Sequence, residues 1–342
     1  MRYACLRGRL LWASVLFAVA CGDGVGVGPE REPEIPCTRA TGECAGSTVI
    51  GTQLTLRYFR SHPLDTVSSG VVRAVIVVHG TNRNADDYFE TMIRATRSAQ
   101  MLDSTVVIAP NFLTADDLPA ANEAYWTSSG WKRGGLSLNP REQVSSYAGM
   151  DRILERLADG TRFPDLRSVV VTGHSAGGQY VHRYAAGNRV EQTFNGIAVR
   201  YIVANPSSYL YLGPERARAH TLDDFYLPDR EACPDYNSWH YGLENLNEYM
   251  SAVPLEDIRA QLLTRDVVYL LGDADSLSGN LDTSCAAMLQ GAYRYVRGLT
   301  LFNYLEAYHP SHGHSVAVVE GVGHSSSSMY NSDAGRTELF GW

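Results

Sequence analysis

The chain has 342 residues, 44% of them hydrophobic, which is enough for one large domain or two small ones. Its formal net charge is −8 and no basic cluster stands out, which argues against a nucleic-acid surface. Past the N-terminus no stretch is apolar for long enough to span a bilayer. Lys132 is the sole lysine among many arginines, a pattern that reads as compositional bias.

Residues 1–20 read as an export signal, with Arg2, Arg7 and Arg9 ahead of a short apolar run from Leu10 to Ala20. Ala18-Val19-Ala20-Cys21 resembles a bacterial lipobox, with Ala18 where leucine is commoner. That resemblance implies cleavage before Cys21, its lipidation and a membrane held through the lipid; an ordinary signal peptide is the alternative. Residues 21–46 are rich in Gly, Pro and Glu and read as a flexible tether to a domain over 47–342. Apart from Cys5 in the signal and Cys21, four cysteines remain, an even number in an exported chain. We expect Cys37 to pair with Cys44 near the tether, and Cys233 with Cys285 to clamp an insertion to the core.

Within the domain, residues 52–60 alternate as a half-exposed strand, and 74–78 form an apolar run typical of a strand buried on both faces. A helix follows near 86–98, a second buried strand at 105–109, and a helix at 143–159 with Tyr147, Met150, Ile153, Leu154 and Leu157 on one side. Val169 to Thr172 is a further β-branched run, followed by Gly173-His174-Ser175-Ala176-Gly177 and a helical stretch. Strands at 197–204, 267–271 and 315–319 complete the series. Strands that alternate with helices at this spacing imply a mostly parallel, helix-covered sheet. Residues 111–142 and 205–254 break the rhythm; the first reads as a long ordered loop and the second, rich in Tyr, as a cap-like insertion.

Strand, G-x-S-x-G and helix form a nucleophile elbow, in which small residues two positions before and after the serine let the turn close. On these residues the chain resembles the α/β-hydrolase superfamily. The resemblance implies an α/β-hydrolase fold with nucleophile, acid and histidine in that chain order. Ser175 is then the nucleophile. The acid belongs just past 267–271, where Gly272-Asp273-Ala274-Asp275 offers two aspartates; the family's Gly-x-x-Asp favours Asp275, with Asp273 as competitor and Asp282 as a remote third. His324 follows the last strand on a Gly-flanked loop and takes the place of the base. The cluster His309, His312 and His314 has spacing that could bind a metal but precedes that strand, so no metal site is assigned. His79, His174 and His182 read as structural.

A tetrahedral intermediate needs two backbone donors. The resemblance assigns Ala176, after the nucleophile, and Thr81, after His79-Gly80, with Asn82 as fallback. Trp126, Trp131, Tyr209, Tyr211, Trp239 and Tyr241 lie in the two irregular stretches, where they either line a substrate pocket or pack the insertions. Of these, Trp126, Trp131, Tyr209 and Trp239 are the expected substrate-binding set. The implied function is a serine hydrolase of small or polymeric carboxylic esters that uses no cofactor. An amidase or peptidase with the same triad, and a non-catalytic surface-binding protein on this scaffold, are the rivals.

Overall fold

The computed structural model describes residues 35–342, so the export segment, Cys21 and most of the expected tether lie outside the described residues. Eight strands form one sheet in the order β1-β2-β4-β3-β5-β6-β9-β10. In chain order these are β1 (Ala45–Ile50), β2 (Leu54–Arg60), β3 (Arg73–Val78), β4 (Thr105–Pro110), β5 (Ser168–His174), β6 (Ala198–Ala204), β9 (Asp266–Gly272) and β10 (His314–Val319). From β4 to β10 every neighbouring pair is parallel, whereas β1 and β2 form an antiparallel edge. A separate two-stranded ribbon, β7 (Arg216–Ala217) with β8 (Phe225–Tyr226), lies in the second insertion.

The apolar runs explain the architecture. All residues of β3, β4 and β5 are buried, because successive side chains enter opposite faces and both faces are covered. On one face Ala74, Ile76, Val78, Val169 and Val171 join a core supplied by α2 (Ser146–Ala158), α3 (Ala176–Gly187), α5 (Leu255–Thr264) and α7 (Arg294–Tyr308). On the other, Val75, Val77 and Val170 meet α1 (Ala85–Ser98), α8 (Ser326–Asn331) and α9 (Asp333–Phe340). The one-turn helices α4 (Glu248–Ser251) and α6 (Cys285–Met288) complete the set. Helix α2 begins where Ser145 accepts a hydrogen bond from the Tyr147 amide at 3.2 Å, and its expected apolar stripe is buried. Helix α3 is buried at every position, which suits a central helix beneath the elbow. No helix among the described residues is long and apolar enough to cross a membrane.

One boundary differs from the sequence reading. Residues 37–46 are not a free tether. The Cys37 amide donates to the Ser61 carbonyl at 2.7 Å, Cys37 is bonded to Cys44, Cys44 is fully buried, and β1 starts at Ala45. The half-exposed edge position of β1 gives it a weak apolar pattern, so composition hid it. Both expected disulfides, Cys37–Cys44 and Cys233–Cys285, are present.

Candidate active site

Strand β5 runs straight into Ser175, and α3 starts at the next residue. Ser175 has φ 60° and ψ −118°, a conformation that costs a non-glycine residue about 1–3 kcal/mol. The surroundings enforce it. The Ser175 amide donates to the Ala204 carbonyl of β6 at 2.9 Å, and its carbonyl accepts from the Gln179 amide at 3.1 Å. A side chain at Gly173 would overlap the Gly177 backbone, and one at Gly177 would overlap the Val78 and His79 carbonyls. The two glycines are therefore what lets β5, α3 and β3 meet so closely.

The histidine arrives from the far side of the same sheet edge. After β10 the chain turns at Gly321, whose amide donates to Asp273 Oδ1 at 2.7 Å, and the Ala274 amide donates to the Val322 carbonyl at 3.1 Å. This holds the loops after β9 and β10 together. His324 Nε2 lies 2.9 Å from Ser175 Oγ, and Nδ1 lies 2.6 Å from Asp275 Oδ2. A carboxylate only accepts, so Nδ1 carries the proton and Nε2 is free to accept from the serine hydroxyl. Asp275 is fully buried, while Asp273 serves the turn and Asp282 binds the Tyr241 hydroxyl at 2.7 Å.

Two residues behind the acid left no signal in the sequence. Arg294 on α7 is fully buried, 3.4 Å from Asp275 Oδ1. It also donates to the Leu277 and Gly279 carbonyls at 3.1 and 2.7 Å, which shapes the acid loop. Asn205, at the end of β6 with φ 41°, accepts from the Gly272 amide at 2.9 Å and fixes the end of β9.

The other histidines are engaged elsewhere. His174 packs against His324 at a tilt of 37° with ring centroids 4.4 Å apart; burial, helped by His324 and Arg294, pushes its pKa well down and keeps it neutral. His79 is pushed down to about 4 by burial; it accepts from the Phe112 amide at Nε2 (3.0 Å), so its Nδ1 donates to the Gly80 carbonyl at 2.9 Å. It thereby shapes the loop that carries Thr81. His182 accepts from the Leu210 amide at 3.2 Å and pairs with Tyr269. His314 contacts Tyr269 and the Leu262 carbonyl, and His312 accepts from the His314 amide, so these rings are occupied by protein groups.

Ser175 sits between two clefts. One, of about 450 Å³, is bordered by Thr81, Lys132, Ala176, Gln179, His240 and Asp282 among others. The second, of about 290 Å³, is bordered by Gly80, Thr81, Asn82, His174, His324 and Ser326 among others. Thr81 borders both clefts, Ala176 the first and Asn82 the second. A larger cavity of about 790 Å³, around Leu118 and Pro119, touches none of these groups, so we assign the chemistry to the smaller pair that contains the reactive atoms.

The expected aromatic lining is corrected. Trp126, Trp131 and Tyr209 are fully buried in the main core. Trp131 stacks on Phe112 at 5.7 Å and packs against His79, while the Trp126 Nε1–H donates to the Val144 carbonyl at 3.2 Å. Tyr209 packs edge-on against His182 and Tyr269. Trp239 is half-buried, and its Nε1–H donates to the Arg133 carbonyl at 3.0 Å. The same carbonyl accepts from Asn247 at 2.7 Å, so the two insertions are laced together. None of these four borders either cleft; His240 and Tyr241 do, from the second insertion. Large apolar rings in long insertions satisfy burial first, and the polar residues beside them face the serine.

No protein-family model and no curated protein matches the chain. Among solved structures it resembles LpqC, a poly(3-hydroxybutyrate) depolymerase from Bordetella parapertussis, at 23% identity and TM-score 0.59, over 87% of this chain and 90% of that one. It also resembles poly(aspartic acid) hydrolase-1 from Sphingomonas sp. KT-1, at 22% identity and TM-score 0.57, over 83% of this chain and 95% of that one. With the mostly parallel sheet, the helices on both faces and the strained serine after the third parallel strand in chain order, this chain has the α/β-hydrolase fold.

Proposed function

We propose that the protein is a serine hydrolase that cleaves carboxylic esters through an acyl-enzyme. The observation that carries this reading is the unbroken relay from Ser175 Oγ through His324 to buried Asp275, on an elbow that fixes the serine's position. His324 Nε2 takes the hydroxyl proton as Oγ bonds to the ester carbonyl carbon. The amides of Thr81 and Ala176 receive the negative oxygen, the second at the start of α3, where the helix dipole adds to its attraction. Collapse breaks the bond to the leaving alcohol, which takes the proton from His324. Water then repeats the sequence and releases the acid. Clefts on both sides of Ser175 give room for the acyl and alcohol parts. The chemistry asks for no cofactor; of the two polymer-degrading proteins of this fold, the poly(3-hydroxybutyrate) depolymerase makes a polyester a reasonable substrate to test, and the poly(aspartic acid) hydrolase makes a polyamide one for the rival amidase reading.

A fluorophosphonate probe tests the reading: wild type becomes labelled at Ser175 and hydrolyses 4-nitrophenyl butyrate. Absence of label on wild type, or equal label on S175A, overturns it. We further propose export and lipidation at Cys21, supported by residues 1–21 and by two disulfides, which persist in oxidising compartments. Incorporation of labelled palmitate into the wild type but not into C21S is the expected result.

A further inference from the structure

The 450 Å³ cleft beside Ser175 carries an unusual charge distribution. Lys132 and Arg133 border it, and Arg183 of α3 lies fully buried behind it. Arg183 donates to the Lys132 and His240 carbonyls, to Gln179 Oε1 and to Ser208 Oγ, all of them uncharged. Arg133 reaches His240 Nδ1 and Ser129 Oγ, again uncharged. Among the described residues, none of the three cations has a carboxylate within ion-pair distance. Asp282 is the single carboxylate on the cleft wall, and it is held by Tyr241 and Ser284. In a chain with net charge −8, the only lysine and two arginines converge where counter-charge is sparse.

Burial and then Arg183, Arg133 and Lys132 hold the pKa of His240 far below the ordinary value, so it stays neutral. Lys132 is likewise pushed down by burial and by both arginines, with Asp282 on the cleft wall pulling the other way. Arg183 is fully buried while Lys132 and Arg133 are half-buried, and a buried cation with no carboxylate at ion-pair distance is costly unless a partner neutralises it. Because the cleft opens at the nucleophile, that partner can arrive with the substrate.

We propose that the cleft is an anion subsite, and that the preferred substrate carries a carboxylate near its scissile ester, held by Lys132 with Arg133 while Arg183 supplies charge from behind. This deepens the serine-hydrolase reading and rests on it. Two matched pairs test it on the full chain. One places the charge on the acyl side: 4-nitrophenyl hydrogen adipate against 4-nitrophenyl heptanoate. The other places it on the leaving group: 3-carboxyphenyl butyrate against phenyl butyrate. The expected result is at least about a tenfold higher kcat/KM for the anionic member of one pair, a preference cut by about tenfold or more in K132M. Raising the salt from low to high should erode the wild-type preference through KM and leave the neutral ester little affected. Should K132M fail to fold, that wild-type salt series decides. Neutral esters cleaved as well as or better than both anionic partners, or a preference indifferent to salt and to K132M, overturns the subsite and leaves the hydrolase reading standing. Failure of all four esters together with absent fluorophosphonate label would instead remove the hydrolase reading.

Discussion

The end of the parallel sheet and the two insertions next to it are built on different terms. At the sheet edge, Ser175 and Asn205 follow directly on a strand, Asp275 and His324 lie on the short loops after β9 and β10, and hydrogen bonds to the backbone of those strands and loops fix where the side chains start. In residues 111–142 and 205–254, regular structure is short, and buried Trp126, Trp131 and Tyr209 hold the chain in place. The first region positions reacting atoms through its backbone. The second is held by its side chains, and it presents to the cleft what the core leaves over, namely Lys132, Arg133, His240 and Tyr241. Rigidity and chemistry are thus divided between the two.

The largest effect should come from the sheet edge. S175A and D275N should each lower kcat by about 10⁴ or more, whereas D273N, which loosens only the Gly321 turn, should cost less than about tenfold. A comparable loss in D273N, read from steady-state kinetics, would exchange the roles of the two aspartates. In the insertions the response should be in stability. W131A should lose about 3–5 kcal/mol in urea denaturation, with KM for a short ester within about threefold of wild type. A raised KM at unchanged stability would restore the pocket role to the tryptophan.

Somewhat smaller is the expected effect of the clamp. Removing Cys233–Cys285 as the double serine variant, which frees a loop closed across a sequence separation of 52, should cost about 2–4 kcal/mol. Because residues 280–284 border the cleft next to Cys285, the catalytic rate should fall as well. The smallest effect lies on the seam between the regions. Asp151 of α2 accepts from Tyr184 of α3 at 2.6 Å and from Tyr249 of α4 at 2.9 Å, and burial pushes its pKa up to about 6. Its protonated form is therefore favoured in the folded state. Below the unfolded value near 3.8 it exacts no penalty; as pH rises through about 6 the folded state loses up to about 3 kcal/mol. D151N should gain stability relative to wild type between pH 4 and pH 7.5; a difference independent of pH in denaturation curves would contradict this.

The strands and the elbow were legible because their patterns are local. Val169 to Thr172 can only be buried on two faces, and Gly173 and Gly177 are demanded by contacts that any such turn makes. The contact of Asp275 with His324 could be expected only through resemblance, since nothing between residues 272 and 324 says that the two loops touch. Arg294 was not legible at all: in α7 it looks like one arginine among many, and only tertiary packing reveals that its charge lies under the acid. The aromatic residues misled for a related reason. Composition marks Trp131 as important without saying which way it points, and the core claims it. Lys132 was discounted as bias, because its convergence with Arg133 and Arg183 exists only once α3 and the loop before α2 are folded together.

The lacing of Trp239 and Asn247 onto the carbonyls of Arg133 and Gly134 has an evolutionary consequence. These bonds end on backbone atoms, so they ask little of the side chain at 133 but allow no change in the length or path of that loop, and Gly134, with φ 74° and no room for a Cβ against Tyr147, is fixed as glycine. Point substitutions that retune the cleft are therefore cheap, while insertions and deletions in one stretch demand a matching change in the other. Across a lineage the two stretches should keep their buried aromatic residues and change length together, and a chimaera that grafts only one of them onto another hydrolase should fail where the pair succeeds.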